Sequence, residues 1–253
     1  MTARVKLEKV TFAYPGTEKA ALRDVSLAIE ARAVTGVTGA VGAGSSTLLL
    51  VAGGFAPRLT GGTLSGRRDL ATSRVGIVFA TPWTQLTGLA TTVRAEVAFG
   101  PASLARPREV VLAACASALR DLGVAHLADR DPGTLSGGEL QRVVVASVLA
   151  MEPELLVLDD PAAELDPAGA DALYALLPVL ARRGTAVLVA TPDAERLART
   201  AARVVVMEGG CIVRDGPPAS VLDDTDVARI ARAAGCPAPF PLDVAMLLAR
   251  VDR

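Results

Sequence analysis

Three short runs constrain this chain most: ELLVLD at 154–159, AVLVAT at 186–191 and RVVVME at 203–208 are apolar almost throughout, with stretches of helical spacing between them. Strands that are apolar on both faces must be covered on both faces, and strands separated by helices run parallel. The alternation therefore predicts an α/β domain around a parallel sheet. A helix over 139–150 precedes the first run, one over 167–182 joins it to the second, and DAERLARTA at 193–201 leads to the third. GGCIVRDG then reads as one more strand, reached through the Gly209-Gly210 turn.

The N-terminal part has a different rhythm. Residues 4–14 and 20–30 alternate apolar with polar around a PGTE turn, which predicts an antiparallel opening. Val34 to Gly39 is a short strand that runs into GAVGAGSST and then an apolar stretch of helical length. Another strand is expected at Arg74 to Phe79, followed by a mostly helical segment, 91–128, divided by Pro101 and Pro107. The tail from 224 has helical spacing at Val227, Ile230, Ala231 and Ala234, breaks at CPAPFP and closes with DVAMLLARV. The chain has no internal repeat, and 253 residues suit one large domain or two small ones.

Charge and composition exclude several classes. With 26 basic against 27 acidic side chains there is no broad basic surface, so no nucleic-acid partner is expected. Apolar residues make up 51% of the chain, yet stretches such as Val143 to Met151 fall far short of the roughly 18 residues of a membrane span. MTARVKLEKVTFAY lacks an apolar leader, and a cytoplasmic protein is expected. Cys115, Cys211 and Cys236 are odd in number and lack metal-ligand spacing. Lysine occurs only at Lys6, Lys9 and Lys19, and histidine only at His126.

Three constellations carry chemistry. Gly39-Ala40-Val41-Gly42-Ala43-Gly44-Ser45-Ser46-Thr47 lies between a buried strand and a helix start, where glycines let successive N–H groups point inward and the helix dipole favours anions. It follows the phosphate-loop pattern except that Ser45 stands at the lysine position, while Ser46 is available to a magnesium ion. An ordinary strand-to-helix turn has the same look. Asp159 and Asp160 end an apolar strand, where one aspartate holds magnesium and the next carboxylate polarises water; a helix cap plus a turn residue reads equally well. Leu135 to Arg142, LSGGELQR, opens a helix with Ser136, Gly137 and Gly138 as a second anion-accepting terminus. Ser136 with Glu139 is also a sound capping box, and the two readings can coexist.

Together, in this order, the three motifs resemble those of ATP-binding-cassette (ABC) ATPases, and the resemblance covers nearly the whole chain. Tyr14 matches the aromatic that stacks on adenine, Ala163-Glu164-Leu165-Asp166 the loop after the magnesium-binding strand, and GGCIVRDGPPASVL the closing strands. VAFGP at 97–101, after VGIVFATPWTQL, resembles the cobalt-type and energy-coupling-factor importers. The resemblance implies a P-loop NTPase (RecA-like) α/β core, an N-terminal antiparallel β subdomain and an inserted α-helical subdomain, all within one domain over 1–253. The β subdomain and core would take 1–80 and 139–222, the helical subdomain and signature loop 81–138, and a helical tail 223–253. It also implies ATP and Mg²⁺ as cofactors. In the family two cassettes sandwich two ATP molecules, each held between one P-loop and the other signature. Ser136, Gly137, Gly138 and Glu139 would thus act in trans.

Measured against that family, this chain's own phosphate-handling positions are altered. Ser45 replaces the lysine, Ala80 the glutamine that links γ-phosphate and metal, and Pro192 the histidine that contacts the γ-phosphate. Asp160 replaces the catalytic glutamate with a shorter carboxylate. Gln85 aligns with a second family glutamine and is no substitute for the first. The signature is complete. The resemblance therefore implies the catalytically weak half of a heterodimeric ATPase, paired with a second cassette and an integral membrane scaffold at the cytoplasmic face of the membrane. The alternative is a soluble regulator or scaffold that binds nucleotide without hydrolysis or transport.

Overall fold

A computed structural model describes residues 3–222 of the chain. The expected helical tail, 223–253, lies outside the described residues. Strands β1 (Ala3–Ala13), β2 (Leu22–Glu30) and β4 (Thr63–Leu70) form an antiparallel sheet in the order β2-β1-β4. The larger sheet adds β3 (Val34–Gly39), β5 (Val75–Val78), β6 (Leu155–Asp159), β7 (Ala186–Ala190), β8 (Arg203–Glu208) and β9 (Cys211–Gly216), ordered β5-β6-β7-β3-β8-β9. Its strands run parallel up to β8, and β9 closes the edge antiparallel to β8.

The central strands are buried along both faces, as their unbroken apolar runs require. Leu155 and Val157 face one core with β1, β2 and the helix α1 (Ser45–Ala52). Leu156 and Leu158, one residue out of phase, face a second core with the helices α4 (Gly137–Leu149), α5 (Pro167–Arg183) and α6 (Ala194–Thr200). A short helix, α7 (Pro218–Val221), ends the described chain.

Two local expectations are revised. The segment 91–128 does form helices, α2 (Val93–Ser103) and α3 (Arg108–Asp121), but only Pro107 divides them. Pro101 lies inside α2, close enough to its end for the helix to tolerate the missing donor. Strand β4 is absent from the sequence reading. TLSGRRDL is mostly exposed, its inward face offers only the partly buried Leu64 and Leu70, and its Gly66 sits where a Cβ would come 2.3 Å from Lys9 O. An edge strand with only two apolar positions, Leu64 and Leu70, leaves little pattern to read.

The parallel order matters for the site. Ala190 at the end of β7 pairs with Val37 of β3 on one side and with Asp159 of β6 on the other. The loops leaving these strands therefore meet at one end of the sheet, where open α/β sheets place their ligand sites.

Candidate nucleotide site

A cleft of about 370 Å³ opens at this end of the sheet, lined by Gly39 to Thr47, Asp159, Asp160, Ala190, Thr191, Pro192 and Ala21. Two of its glycines are conformationally required. Gly44 caps α1 at φ +102°, with room for no Cβ because Ala21 O would lie 2.9 Å away. At Gly39 a Cβ would lie 2.5 Å from Met207 O. The loop is pinned by Ala43 N donating to Ala40 O at 2.9 Å and Gly210 N donating to Ala43 O at 2.8 Å. Helix α1 has no side-chain cap and no acidic residue in its first turn. Its first N–H groups therefore face the cleft as a site for an anion.

From the first turn of that helix, Ser46 Oγ donates to Asp159 Oδ1 at the end of β6 at 3.0 Å. Hard oxygen donors in one corner beside a phosphate cradle suit a magnesium ion, which binds through one carboxylate and phosphate oxygens. Burial pushes the Asp159 carboxyl above its ordinary range, and the Ser46 hydroxyl works against that. A divalent cation placed there would relieve the buried charge.

Asp160 is held differently. Its backbone adopts φ +41°, and its N–H donates to Ala190 O at 2.8 Å. Its carboxylate accepts from Thr191 Oγ1 at 3.2 Å, and that same hydroxyl accepts from Asp193 N at 3.2 Å. Arg196 in turn pairs with Asp193 and with Asp171. Burial is the largest influence raising the Asp160 carboxyl, Thr191 opposes it, and the neighbouring Asp159 and Asp193 add to the rise. Thr191 escaped the sequence reading, and its one signal was its place at the end of β7, two residues before the α6 cap at Asp193.

No lysine, arginine or histidine lines the cleft among the described residues, while two aspartates do. Its positive potential comes from backbone N–H groups and the α1 dipole alone. Gln85 does not fill the gap left by Ala80. Its amide is committed to the end of β5, accepting from Phe79 N at 2.7 Å and donating to Ile77 O at 2.9 Å. His126 is exposed on a short turn and lies outside the cleft lining. Tyr14 also lies outside the lining but is tied to it, with its hydroxyl 3.2 Å from Thr47 Oγ1 and its ring edge-on to Phe12 at 4.9 Å. The residues present fit magnesium and a backbone-bound phosphate. They supply no side-chain cation for the charge that builds on a transferring phosphoryl group.

The signature forms a separate surface. Ser136 is the N-cap of α4, and its capping box is complete: Glu139 N donates to Ser136 Oγ at 3.3 Å and Ser136 N donates to Glu139 Oε2 at 2.8 Å. The Ser136 N–H and the Ser136 hydroxyl, both donating to Glu139 Oε2, hold that carboxyl below its ordinary range. Ser136 to Glu139 are absent from the cleft lining, so within one chain the two anion-accepting termini are not brought together. A larger hollow of about 490 Å³ opens near the opposite ends of the strands, and its arginines are already paired, Arg4 and Arg74 with Glu154 and Arg183 with Asp121.

Comparison with known proteins agrees with this geometry. The chain is 39% identical to the cobalt import ATP-binding protein CbiO of Rhodobacter capsulatus, over 99% of this chain and 90% of that protein. It is 37% identical to the energy-coupling factor transporter ATP-binding protein EcfA of Methanothermobacter thermautotrophicus, over 89% of this chain and 74% of that one. Some matched relatives are longer, and this chain spans 38% and 60% of the length of two of them. The solved structure of CbiO1 from Clostridium perfringens, part of the ABC transporter complex CbiONQ, superposes with a TM-score of 0.77 at 29% identity, covering 92% of this chain and 95% of that one. The family model described as ABC transporter matches residues 22–163, more than half of the sequence, and the chain belongs to that family as one of its ATP-binding cassettes.

Proposed function

We propose that this chain is the ATP-binding subunit of an importer of the energy-coupling-factor or cobalt kind, and the catalytically weak half of its ATPase pair. In this reading ATP lies on the Gly39–Thr47 loop with Tyr14 against the base, and Mg²⁺ sits between Ser46 and Asp159. Asp160 is one methylene shorter than a glutamate and already accepts from Thr191, so it drives the attacking water poorly. Ser136, Gly137, Gly138 and Glu139 serve the triphosphate of a second cassette, whose own loop is complete. The pair works beneath an integral membrane scaffold, with this chain peripheral to the membrane. No helix among the described residues is long and apolar enough to cross a membrane.

The observation that carries this reading is the contrast between the two anion-accepting termini: a cleft with no cationic side chain, and a signature cap with every bond in place. Phosphoryl transfer depends almost wholly on positioning and electrostatics, so loss at the first is felt directly in rate. The names of the relatives support the transport role. Affinity purification of the tagged chain from detergent-solubilised membranes tests it. Recovery of a second cassette with a P-loop lysine and of a multi-span protein supports the reading, whereas recovery of soluble partners alone overturns it.

A further inference from the structure

The two walls of the nucleotide cleft differ in what they offer a phosphate. The loop wall, Gly39 to Thr47, brings the uncapped N–H groups of α1. The second wall, where β6 and β7 end, has no N–H or hydroxyl to spare among Asp160, Thr191 and Pro192. Asp160 N donates to Ala190 O at 2.8 Å, and Thr191 N donates to Val37 O at 3.1 Å. The Thr191 hydroxyl is turned onto the Asp160 carboxylate at 3.2 Å, and Pro192 has no N–H at all. Arg196 lies outside the lining and is paired with Asp193 and Asp171. What stays open on this wall is carboxylate oxygen, and even the Ser46 hydroxyl of the loop wall is committed to Asp159.

We propose that this cleft is built for a nucleoside diphosphate: it holds ADP in preference to ATP, because a third phosphate meets carboxylates on the second wall and no donor that could take it. The inference rests on the reading that the Gly39–Thr47 loop receives a nucleotide, and it narrows that reading: ATP can enter, and ADP stays. Phosphates seated on backbone N–H groups need no side-chain cation, but each further negative charge beside Asp159 and Asp160 does. A magnesium ion between Ser46 and Asp159 would offset the same charge for either nucleotide. The consequence is a half-site whose occupant does not follow the supply of triphosphate.

The test is calorimetric titration of the full chain with Mg·ADP and with Mg·ATP, for wild type, D160N and S45K. The proposal expects wild type to bind Mg·ADP more tightly than Mg·ATP by about fivefold, the penalty of one like-charge contact in a water-filled cleft. D160N removes a charge and turns an amide N–H toward the cleft, so it narrows the gap by raising the affinity for ATP while that for ADP changes little. S45K supplies the missing cation and reverses the order. Wild-type affinity for ATP equal to or above that for ADP would overturn the proposal while leaving the nucleotide reading intact. An ADP preference untouched by D160N would overturn the role given to the second wall. Binding of neither nucleotide would overturn both the proposal and the reading beneath it.

Discussion

The Ser46 hydroxyl donates to Asp159 Oδ1 across 3.0 Å, joining the first turn of α1 to the end of β6. A residue in the phosphate loop and one far along the sequence thus form a single oxygen-donor corner. If that corner holds magnesium, S46A and D159N each weaken Mg·ATP binding by about tenfold or more, since a contact to a charged group is worth ~1.5–3 kcal/mol. Binding of ATP in EDTA is unchanged for S46A. Calorimetric titration with and without magnesium checks this, and an equal loss under both conditions would refute a metal role.

Asp160 gives a prediction in pH. Its carboxyl is raised by burial, so the native chain holds that proton more tightly than the unfolded chain does. The group then costs stability as pH climbs from the ordinary carboxylate range near about 4 up through its raised native value. D160N removes that cost and keeps an acceptor for Thr191. Its unfolding midpoint should exceed wild type at pH 7.5 and converge on it toward about pH 4. A lower midpoint at pH 7.5 would contradict the sign.

The glycines of the loop differ in what they permit. G39A drives a Cβ against Met207 O, a backbone atom that cannot step aside, and should destabilise by about 1–3 kcal/mol. G42A meets nothing within 4 Å and bears only the strain of φ +80°, about 1 kcal/mol. Urea denaturation ranks the two, and a G42A loss larger than that of G39A would show the packing argument wrong.

The cap that Ser136 forms and the trans role proposed for it can be separated. S136A removes the α4 cap and should cost about 1 kcal/mol, while S136N restores the cap and the stability. If Ser136 also serves a partner's phosphate, S136N still fails to stimulate hydrolysis by that partner. Full stimulation by a stably folded S136N chain would reduce Ser136 to a cap.

Much of this was legible in the chain itself. The parallel strands announced themselves because burial on both faces leaves runs such as LLVL and AVLVA, and two of the three motifs meet in the cleft at the end of the sheet. The edge strand β4 did not, since Arg67, Arg68 and Asp69 give it the look of a loop. Contacts between distant residues were also out of reach. No spacing rule places Thr191 against Asp160 or Glu164 beside Gly137, because both depend on how strand ends line up in the folded sheet.

The most direct test of the central claim is phosphate release by the purified chain alone, compared with S45K/A80Q/P192H. The account predicts turnover near background for the wild type and a clear rise in the triple variant, which regains a cation, an amide and an imidazole at the cleft. Brisk, magnesium-dependent hydrolysis by the wild-type chain on its own would contradict it.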